Sequence, residues 1–341
     1  MKITSMEETY ARNRDADEDI LSAVLRNVRL TSALFYDNQA HAPWVSETPD
    51  VREYAHLAMP DAQRVVPFKV ITSGSCWAEL ADNSVPPVRL NAGDVLVISR
   101  GQAHVLASSP GMREAEDTFD AEEYRKPADG RILLATINGA KGAETCRFVC
   151  GFFGCDVGPF NPLLDALPPL LATQTITSAK AIEAAVADTA GQTAGGASVR
   201  ARLGELLFVE VARSYVPPHS RGWLAGLRDD HIGAALRLIH SRPTEDWTVD
   251  NLARHVGMSR SVFADRFAKL IGLSPMNYLG RWRMQLAART LEDSDVSVAQ
   301  AAATVGYESE AAFRRSFKRL VGVSPAEWRR GHAGHHRGTG A

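Results

Sequence analysis

One helical pattern of apolar positions occurs twice near the carboxyl end of the chain, between residues 247 and 330. In each copy apolar residues recur three and four positions apart, a glycine follows, and two phenylalanines four positions apart precede a Ser-Pro pair. This spacing puts an apolar stripe on one face of a short helix. The glycine can adopt the left-handed conformation that ends such a helix. Ser297 and Gln300 have the spacing of a capping box, which marks a helix start. The copies comprise Val249, Leu252, Ala253, Val256, Gly257, Phe263, Phe267, Gly272, Ser274 and Pro275, and then Val298, Ala301, Ala302, Val305, Gly306, Phe313, Phe317, Gly322, Ser324 and Pro325. The repeat predicts two helix-turn-helix units, at residues 248–270 and 297–320.

A continuous helix is predicted between the two units, from Pro275 to about Leu291. Leu279, Trp282 and Leu286 give this helix an apolar stripe. At 1.5 Å per residue it would span roughly 25 Å, which could hold two recognition helices about one DNA turn, ~34 Å, apart. Its cationic side chains are expected to face solvent or phosphate: Arg281, Arg283 and Arg289.

The second helix of each unit is predicted to present its outer face to DNA, because the phenylalanines hold its inner face against the core. The outward residues in the first unit are Arg260, Ser261, Ala264 and Asp265, and in the second unit Glu310, Ala311, Arg314, Arg315 and Lys318. An arginine can bind guanine with two hydrogen bonds, and a carboxylate can accept one from cytosine. Arg314 and Lys318 are expected to contact phosphate. Asp265 and Glu310 could instead each pair with a neighbouring arginine.

The region resembles the DNA-binding domain of the AraC/XylS family of bacterial transcription regulators, in which two helix-turn-helix units flank a linker helix. The matching segments are residues 256–261, 267, 272–275, 305–307, 313–318 and 322–325. The resemblance implies activation or repression at promoters, with double-stranded promoter DNA as the partner and RNA polymerase as a further candidate. It places base contacts at Ser261, Ala264, Asp265, Glu310, Ala311 and Arg315.

Short apolar runs separated by glycines and prolines dominate the front half of the chain. They lie at residues 28–36, 65–72, 75–80, 88–90, 94–98, 104–107, 132–137 and 145–153. Short strands with such turn signals are typical of a small barrel or jelly roll. An acidic segment at residues 110–130 interrupts the runs. We expect it to be a mobile surface loop, with a lid over the barrel mouth as the alternative.

The stretch from Gly93 to His104 resembles the second motif of the cupin superfamily, with Ser99 where the motif has proline. Over residues 19–170 the resemblance implies a β-barrel whose interior or mouth receives a small-molecule effector. The candidate effector-binding residues are Lys69, Trp77 and His104. Lys69 could bind an anionic effector or be a solvated lysine on an edge strand. His104 is expected to be a hydrogen-bonded barrel residue.

A cupin metalloenzyme with a DNA-binding appendage is the main alternative. Such an enzyme usually has a His-x-His pair and a glutamate in its first motif, and a metal ion needs several converging ligands. Residues 68–79, where that motif would lie, contain no histidine, which leaves His104 with His56 as its upstream neighbour. We therefore predict no enzymatic activity, no catalytic residue, no metal and no cofactor. A DNA binder whose barrel senses nothing is the second alternative.

From residue 171 onward the pattern is expected to be helical, with helices at 179–189 and 198–216 and a linker at 217–222. The stripe of the second helix consists of Leu203, Leu206, Leu207, Val211 and Tyr215. It could pack on the barrel, pair with its copy in another subunit, or do both; the family resemblance favours a homodimer. A further helix is predicted at 230–241.

The four cysteines, Cys76, Cys146, Cys150 and Cys155, are expected to be reduced and buried as small apolar residues. Cys146 and Cys150 share a strand face about 13 Å apart, which is too far for a disulfide. An approach of Cys150 to Cys155 around Gly154, for redox or metal sensing, is the alternative.

Composition and charge agree with a sensor fused to a DNA-binding unit. The 341 residues, 45% hydrophobic and 23% charged, exceed the ~150 typical of one domain. From residue 228 onward 17 Lys or Arg stand against 12 Asp or Glu, whereas the preceding residues carry 21 against 28. The sequence shows neither a signal peptide nor an apolar run of the ~18 residues that a membrane span needs. We expect a cytoplasmic protein with no membrane partner.

The predicted class is α+β with two domains: an amino-terminal cupin-like β-barrel, or jelly roll, and a carboxyl-terminal all-α domain with two helix-turn-helix units. The predicted segments are a disordered amino terminus at 1–16, an effector-sensing domain at 17–170, a helical dimerisation and linker segment at 171–222, a DNA-binding domain at 223–330, and a disordered tail at 331–341.

Overall fold

The computed structural model describes residues 20–26, 30–114, 120–125, 132–137, 145–155, 158–175, 180–182, 184, 195–215, 222–293 and 296–332. The chain forms two compact units. The barrel unit comprises Arg29–Asp156 and Leu167–Tyr215, and the helical unit comprises Met1–Val28, Val157–Ala166 and Val216–Ala341. The predicted class, a β-rich amino-terminal domain and a helical carboxyl-terminal domain, is confirmed.

The secondary structure of the described residues is as follows. The strands are β1 Leu30–His41, β2 Val45–Thr48, β3 Arg64–Ser73, β4 Ser75–Leu80, β5 Val88–Asn91, β6 Asp94–Val97, β7 His104–Ala107, β8 Leu133–Ile137, β9 Thr145–Cys155 and β10 Leu171–Gln174. The helices are α1 Ile20–Arg26, α2 Ala55–Ala58, α3 Pro162–Ala166, α4 Gly196–Ser214, α5 Trp223–Arg228, α6 Asp230–Ser241, α7 Val249–His255, α8 Arg260–Ile271, α9 Pro275–Asp293, α10 Val298–Thr304, α11 Glu310–Val321 and α12 Pro325–His332. Two 3₁₀ turns occupy Val51–Glu53 and Ala121–Tyr124.

Two sheets face each other in the barrel unit. One has the strand order β10-β6-β3-β9-β1-β8 and the other β2-β7-β4-β5. The pairs between neighbouring strands are antiparallel, apart from the parallel pair of β1 and β8. The core between the sheets takes side chains from both, such as Ile71 and Phe148 from the larger sheet and Leu80 and Leu106 from the smaller. Alternation along each strand sends these residues inward and their neighbours outward.

The outer face of the larger sheet is covered by α4. Phe153 of β9 stacks on Phe68 of β3 at 4.2 Å between ring centroids and meets Phe208 of α4 edge-on at 5.1 Å. Because both faces of β3 are covered, its sequence is an almost unbroken run of buried residues. The sequence analysis predicted that this helix packs on the barrel, pairs with its copy in another subunit, or does both. Within the barrel unit, α4 packs on the sheet.

The buried positions of α4 differ from the predicted stripe. Phe208 and Ala212 are buried beside Leu207 and Val211, whereas Leu206 is 44% exposed. A leucine-rich helix offers several stripes of similar apolarity, and contact with the sheet decides which one turns inward. The outer side of α4 therefore keeps apolar residues, Val199 and Leu206, in solvent.

Two strands were missed by the sequence analysis, and one of them corrects the prediction of helix from residue 171. β10 pairs with β6, with Leu171 opposite Val97, and β2 pairs with β7. Each of these strands has four residues, and a segment of this length is too short to show a periodicity. Hydrogen bonding to a neighbouring strand decides its conformation.

Some predictions fall partly or wholly outside the described residues. These are the disordered amino terminus 1–16, most of the helix at 179–189, most of the linker 217–222, and residues 333–341 of the predicted tail. Residues 331 and 332 are described, and they complete α12 instead of belonging to a disordered tail.

The helical unit is built around α9, the predicted linker helix. Near its start, Tyr278 packs edge-on against Phe267 of α8 at 5.8 Å between ring centroids. Further along, Met284, Ala288 and Leu291 join the core of α10 and α11. α9 therefore belongs to the core of both helix-turn-helix units, which explains why its buried surface is wider than the predicted stripe.

A buried polar cluster holds α5, α6 and α9 together. The indole N–H of Trp223 donates to the Tyr278 hydroxyl at 2.7 Å, and that hydroxyl lies 2.8 Å from His240 Nε2. Burial lowers the pKa of His240 to about 3, so its ring is neutral at physiological pH. Because the cluster is buried, the hydrogen bonds fix the mutual orientation of the three helices.

Residues 158–166, which lie between β9 and β10 in the sequence, belong to the helical unit. The buried Gln285 of α9 accepts a hydrogen bond from the Phe160 amide at 3.1 Å, and the Phe160 ring meets Tyr278 edge-on at 5.2 Å. A Cβ on Gly158 would lie 2.1 Å from Gln285 Oε1, so a side chain there would displace the Gln285 amide group. No local pattern in the sequence indicates that a segment from this part of the chain packs on α9.

No helix within the described ranges has both the length and the apolarity that crossing a membrane requires.

Candidate nucleic-acid interface and effector cavity

The first helix-turn-helix unit consists of α7, a turn at Gly257 and α8. A capping box fixes the start of α7: the Thr248 hydroxyl accepts from the Asn251 amide at 3.2 Å, and Asn251 Oδ1 accepts from the Thr248 amide at 2.7 Å. Gly257 has a φ of 69°, in the left-handed region that glycine tolerates. The buried rings of Phe263 and Phe267 turn one face of α8 inward. The opposite face of α8 lies in solvent.

The second unit, α10 and α11, repeats this construction. Ser297 and Gln300 form the predicted capping box, with hydrogen bonds of 3.2 and 2.7 Å. Gly306 has a φ of 77°, and Phe313 and Phe317 are buried. The sequence repeat therefore corresponds to a repeated structure.

The outer face of α8 carries the residues predicted for the first unit: Arg260, Ser261 and Asp265 are exposed, and Ala264 is partly buried. Asp265 pairs with Lys269 at 2.7 Å, and Arg260 lies 3.7 Å from Asp250. The partner of Asp265 is thus a lysine one turn further on instead of an arginine. Exposed ion pairs of this kind contribute roughly 1 kcal/mol or less, so DNA can displace them.

The outer face of α11 carries the residues predicted for the second unit: Ala311, Arg314, Arg315 and Lys318 are exposed, and Glu310 is half-buried. Glu310 pairs with Arg314, with Oε1 at 2.7 Å from Nε and 2.6 Å from Nη2. Neither Arg315 nor Lys318 has a carboxylate within 4.0 Å in the part of the chain that the structure describes. Their positive charges are therefore available to a nucleic acid.

Two exposed residues on these helices were missed by the sequence analysis. Val262 of α8 is 56% exposed, and Arg319 of α11 is exposed. The helical phase set by the buried Phe263 turns Val262 outward. An exposed apolar side chain on a recognition helix suits contact with a thymine methyl group.

Arg283 of α9 corrects the expectation that the arginines of the linker helix face solvent or phosphate. Its guanidinium donates to the Pro243 carbonyl at 2.6 Å and the Glu245 carbonyl at 2.8 Å, and it lies 5.9 Å from the Tyr307 ring centroid. It thereby ties the loop between α6 and α7 to the turn of the second unit. Arg289 is also largely buried, with its Nη1 at 3.8 Å from Glu292.

Replacing Arg283 by methionine is expected to loosen this connection. Affinity for a DNA fragment that carries the target segments of both helix-turn-helix units should fall about fivefold. When the two units are no longer held in one orientation, binding of the first raises the effective concentration of the second less. Affinity for a fragment that carries the target segment of only one unit should change little. Fluorescence anisotropy on both fragments measures the difference, with Arg281→Met on the same helix as the control; equal weakening on the two fragments would contradict this role.

A cavity of about 550 Å³ opens in the barrel unit. Its apolar wall includes the aromatic rings of Tyr36, Tyr124 and Phe152, and its polar groups include Asn38 and Lys69. This volume is within the range of small-molecule sites. The lining mixes apolar wall with several polar side chains, which also include Ser46, Glu47 and Thr48.

The three residues predicted for an effector lie in different environments. Lys69 is on the cavity wall, in a central strand and buried, so it is neither an edge-strand nor a solvated lysine. His104 is buried but is not among the residues that line the cavity; its Nδ1 lies 3.0 Å from the Gln102 carbonyl oxygen. Trp77 lies on the face of β4 opposite to Cys76 and Ala78, which fill the core, and does not line the cavity.

Part of the acidic segment 110–130 borders the cavity. The Tyr124 ring stacks on the buried Tyr54 at 4.0 Å between centroids, and the Tyr36 hydroxyl donates to the Glu123 carbonyl. Burial raises the pKa of Tyr124, so its phenol stays protonated. Residues 120–125 thus favour the lid alternative over a simple surface loop, while residues 115–119 and 126–130 lie outside the described ranges.

The four cysteines are buried and unbridged. Cys76 of β4 and Cys146 of β9 contact each other across the barrel core, and this hydrogen bond, together with burial, raises the pKa of Cys76. Cys150 instead contacts Lys69, and Cys155 contacts the Arg64 carbonyl. The pair that sequence spacing suggested, Cys150 with Cys155, is therefore not the pair in contact.

In the ranges that the structure covers, no three side chains of the kinds that ligate metals (His, Cys, Asp, Glu) are grouped so that they could hold an ion.

The comparisons with known proteins agree with both units. A family model described as "Cupin" matches residues 19–217, and one described as "Helix-turn-helix domain" matches residues 252–331. A Streptomyces lividans protein described as an AraC-like transcription regulator is 32% identical over 282 residues, which cover 79% of this chain and 88% of that protein. The HTH-type transcriptional regulator AlkR of Acinetobacter baylyi is 27% identical over 320 residues, 91% of this chain and 99% of AlkR.

Among solved structures, the DNA-binding domain of AdpA in complex with a target DNA is 34% identical over 33% of this chain and 100% of that domain, with a TM-score of 0.31. The sequence matches over both units show the family of this chain. The chain belongs to the AraC family of DNA-binding transcription regulators and carries a cupin domain at its amino-terminal side.

Proposed function

We propose that this chain regulates promoters by placing α8 and α11 in two major-groove segments of DNA, and that a small molecule in the barrel cavity controls this binding. One observation supports the first part above all. Each recognition helix buries a pair of phenylalanines and exposes the opposite face. On α11 that face carries Arg315 and Lys318, which have no counter-ion among the described residues.

The exposed faces suggest a role for each side chain. Base contacts fall to Ser261, Ala264 and Asp265 on α8 and to Glu310, Ala311 and Arg315 on α11, with Val262 added for a thymine methyl group. Phosphate contacts fall to Arg260, Arg314 and Lys318. Asp265 and Glu310 give up their ion pairs when they accept from cytosine. Arg315 has no such pair to break, so it is the strongest candidate for specific recognition.

Dimethyl sulfate footprinting on the genomic fragment that the full-length chain binds most tightly tests this proposal. Dimethyl sulfate methylates guanine N7 in the major groove, so a helix lying there protects the base. We expect two protected segments on one face of the duplex, with centres about 10 base pairs apart. A single protected segment, or protection that follows no sequence, would contradict paired recognition.

The barrel cavity and α4 support the remaining parts of the proposal. The cavity suits a small-molecule effector, and the exposed Val199 and Leu206 on α4 suit pairing with a second copy of the chain. Sedimentation equilibrium measures that dimerisation directly. RNA polymerase would be the further partner if the bound promoter is activated.

We infer that the chain is not an enzyme. Its relatives are named as transcription regulators, and the fully buried His104 has Lys69 as a charged neighbour. A cation beside an imidazole disfavours a second cation such as a metal ion. The metalloenzyme alternative would need stoichiometric metal bound through His56 and His104 in the purified protein.

A further inference from the structure

Lys69 is an unusual residue for the interior of a barrel. It lies in β3, between β6 and β9, with its side chain on the inner face of the sheet and only 5% exposed. Lysine is rarely buried to this degree unless its ammonium is paired, because the charge loses its hydration.

The partners of Lys69 within the protein are weak. Nζ lies 3.1 Å from Cys150 Sγ and 3.5 Å from the Thr48 hydroxyl. A thiol is a poor acceptor, and an ammonium has three N–H donors. No carboxylate of the described chain lies within 4.0 Å of Nζ, so the charge has no counter-ion there.

Among the described residues that line the inner end of the cavity, Lys69 is the only cation. His104, its buried neighbour, has its pKa lowered to about 3 by burial and by the charge of Lys69, so it is neutral at physiological pH. Asn38 adds an amide group to the cavity wall and donates to Cys150 Sγ at 3.3 Å. In the described part of the barrel, the inner end of the cavity therefore offers the Lys69 ammonium with neutral hydrogen-bonding groups beside it.

The rest of the cavity has a different character. The rings of Tyr36, Tyr124 and Phe152 form apolar wall, together with Ile137 and Ala135. Three further lining residues are acidic and lie in more exposed positions: Glu47, Glu114 and Glu123. Glu47 and Glu114 each accept the backbone N–H of the other at 2.9 Å, which keeps both carboxylates at the cavity edge.

We propose that this cavity binds an organic monoanion whose anionic group pairs with Lys69 and whose apolar body lies against the aromatic wall. This inference rests on the proposed function, in which the barrel is the sensor. The anion replaces the Cys150 thiol as the main acceptor from Nζ. A second negative charge at the far end is disfavoured, because it would face the glutamates at the edge.

Isothermal titration of the full-length chain with matched compounds tests the proposal. The probes are monocarboxylates from butyrate to decanoate, together with benzoate, 3-phenylpropionate and indole-3-acetate, each beside its neutral amide. 3-(4-Carboxyphenyl)propionate serves as the dianion. We expect at least one monocarboxylate to bind about tenfold or more tightly than its amide, because a desolvated charge pair distinguishes the two. The dianion should bind more weakly than 3-phenylpropionate.

Lys69→Met removes the charge while keeping much of the side-chain length. It should lower the affinity for the best carboxylate to that of the amide, whereas Lys180→Met, at an exposed lysine of the same unit, should leave it unchanged. Circular dichroism confirms that the variants are folded. No binding by any monocarboxylate up to 5 mM, or equal binding of acid and amide, would overturn the proposal.

DNA binding without ligand is measured on the same preparations. A chain that binds its promoter fragment yet no carboxylate would refute the monoanion inference and leave the regulator intact. A chain that binds carboxylate but no specific DNA would support the monoanion inference and contradict the proposed promoter binding.

Discussion

Replacing Gly306 by alanine is expected to destabilise the helical unit by about 2–5 kcal/mol. Two costs add. The residue has a φ of 77°, where a side chain is strained, and a Cβ would lie 2.6 Å from the Thr244 carbonyl oxygen and 2.9 Å from the Thr244 Cα. Both atoms belong to the backbone, so the clash cannot be relieved by turning a side chain. Urea unfolding of the full-length chain, followed by far-ultraviolet circular dichroism, measures the loss.

Gly257 is the matched control, because it holds the same place in the first unit. Its φ is 69°, but a Cβ there would meet nothing within 4 Å. Gly257→Ala should therefore cost only the conformational strain, about 1–2 kcal/mol. Equal losses for the two variants would show that the contact with Thr244 contributes nothing.

The difference between these two glycines shows what the sequence could and could not predict. Both were identified as helix-ending glycines, and both are left-handed, because that property depends on the local pattern. Which of them touches another loop depends on how α9 folds the second unit against residues 243–245. Nothing within either repeat carries that information.

The same distinction explains the rest of the helical unit. The capping box of Ser297 and Gln300, the inward phenylalanines and the extent of α9 all follow from neighbours within a few positions. The role of Arg283 does not, since its acceptors, the carbonyls of Pro243 and Glu245, are some 40 residues away. A local pattern showed only a charged residue on a helix, for which solvent was the natural expectation.

For the barrel the strands were predictable and their order was not. Runs such as residues 75–80 and 104–107 match β4 and β7. The edge-strand alternative for Lys69 is wrong, because β3 lies between β6 and β9. This strand order is a property of long-range pairing, which the local sequence does not show. The cavity and its single buried cation could not be inferred without that order.

Replacing Arg315 by alanine should weaken binding to the selected promoter fragment by about 1–3 kcal/mol, roughly ten- to a hundredfold, while binding to random DNA weakens much less. The guanidinium is exposed on the face of α11 opposite Phe313 and Phe317, and no carboxylate of the described chain pairs with it. A bidentate contact with guanine needs such a free, outward guanidinium. Competition titrations with the selected fragment and with random duplex, at two salt concentrations, give the specific and non-specific affinities.

Arg237→Ala, at an exposed arginine of α6, removes the same charge away from both recognition helices and should change neither affinity appreciably. Arg315→Lys keeps the charge but loses the planar pair of donors, so it should restore binding to random DNA without restoring preference for the selected site. If Arg315→Ala instead weakened both DNAs equally and lowered the salt dependence by about one ion, Arg315 would contact phosphate. Recognition by α11 would then depend on Glu310 and Ala311, with the Glu310–Arg314 pair opening to free the carboxylate.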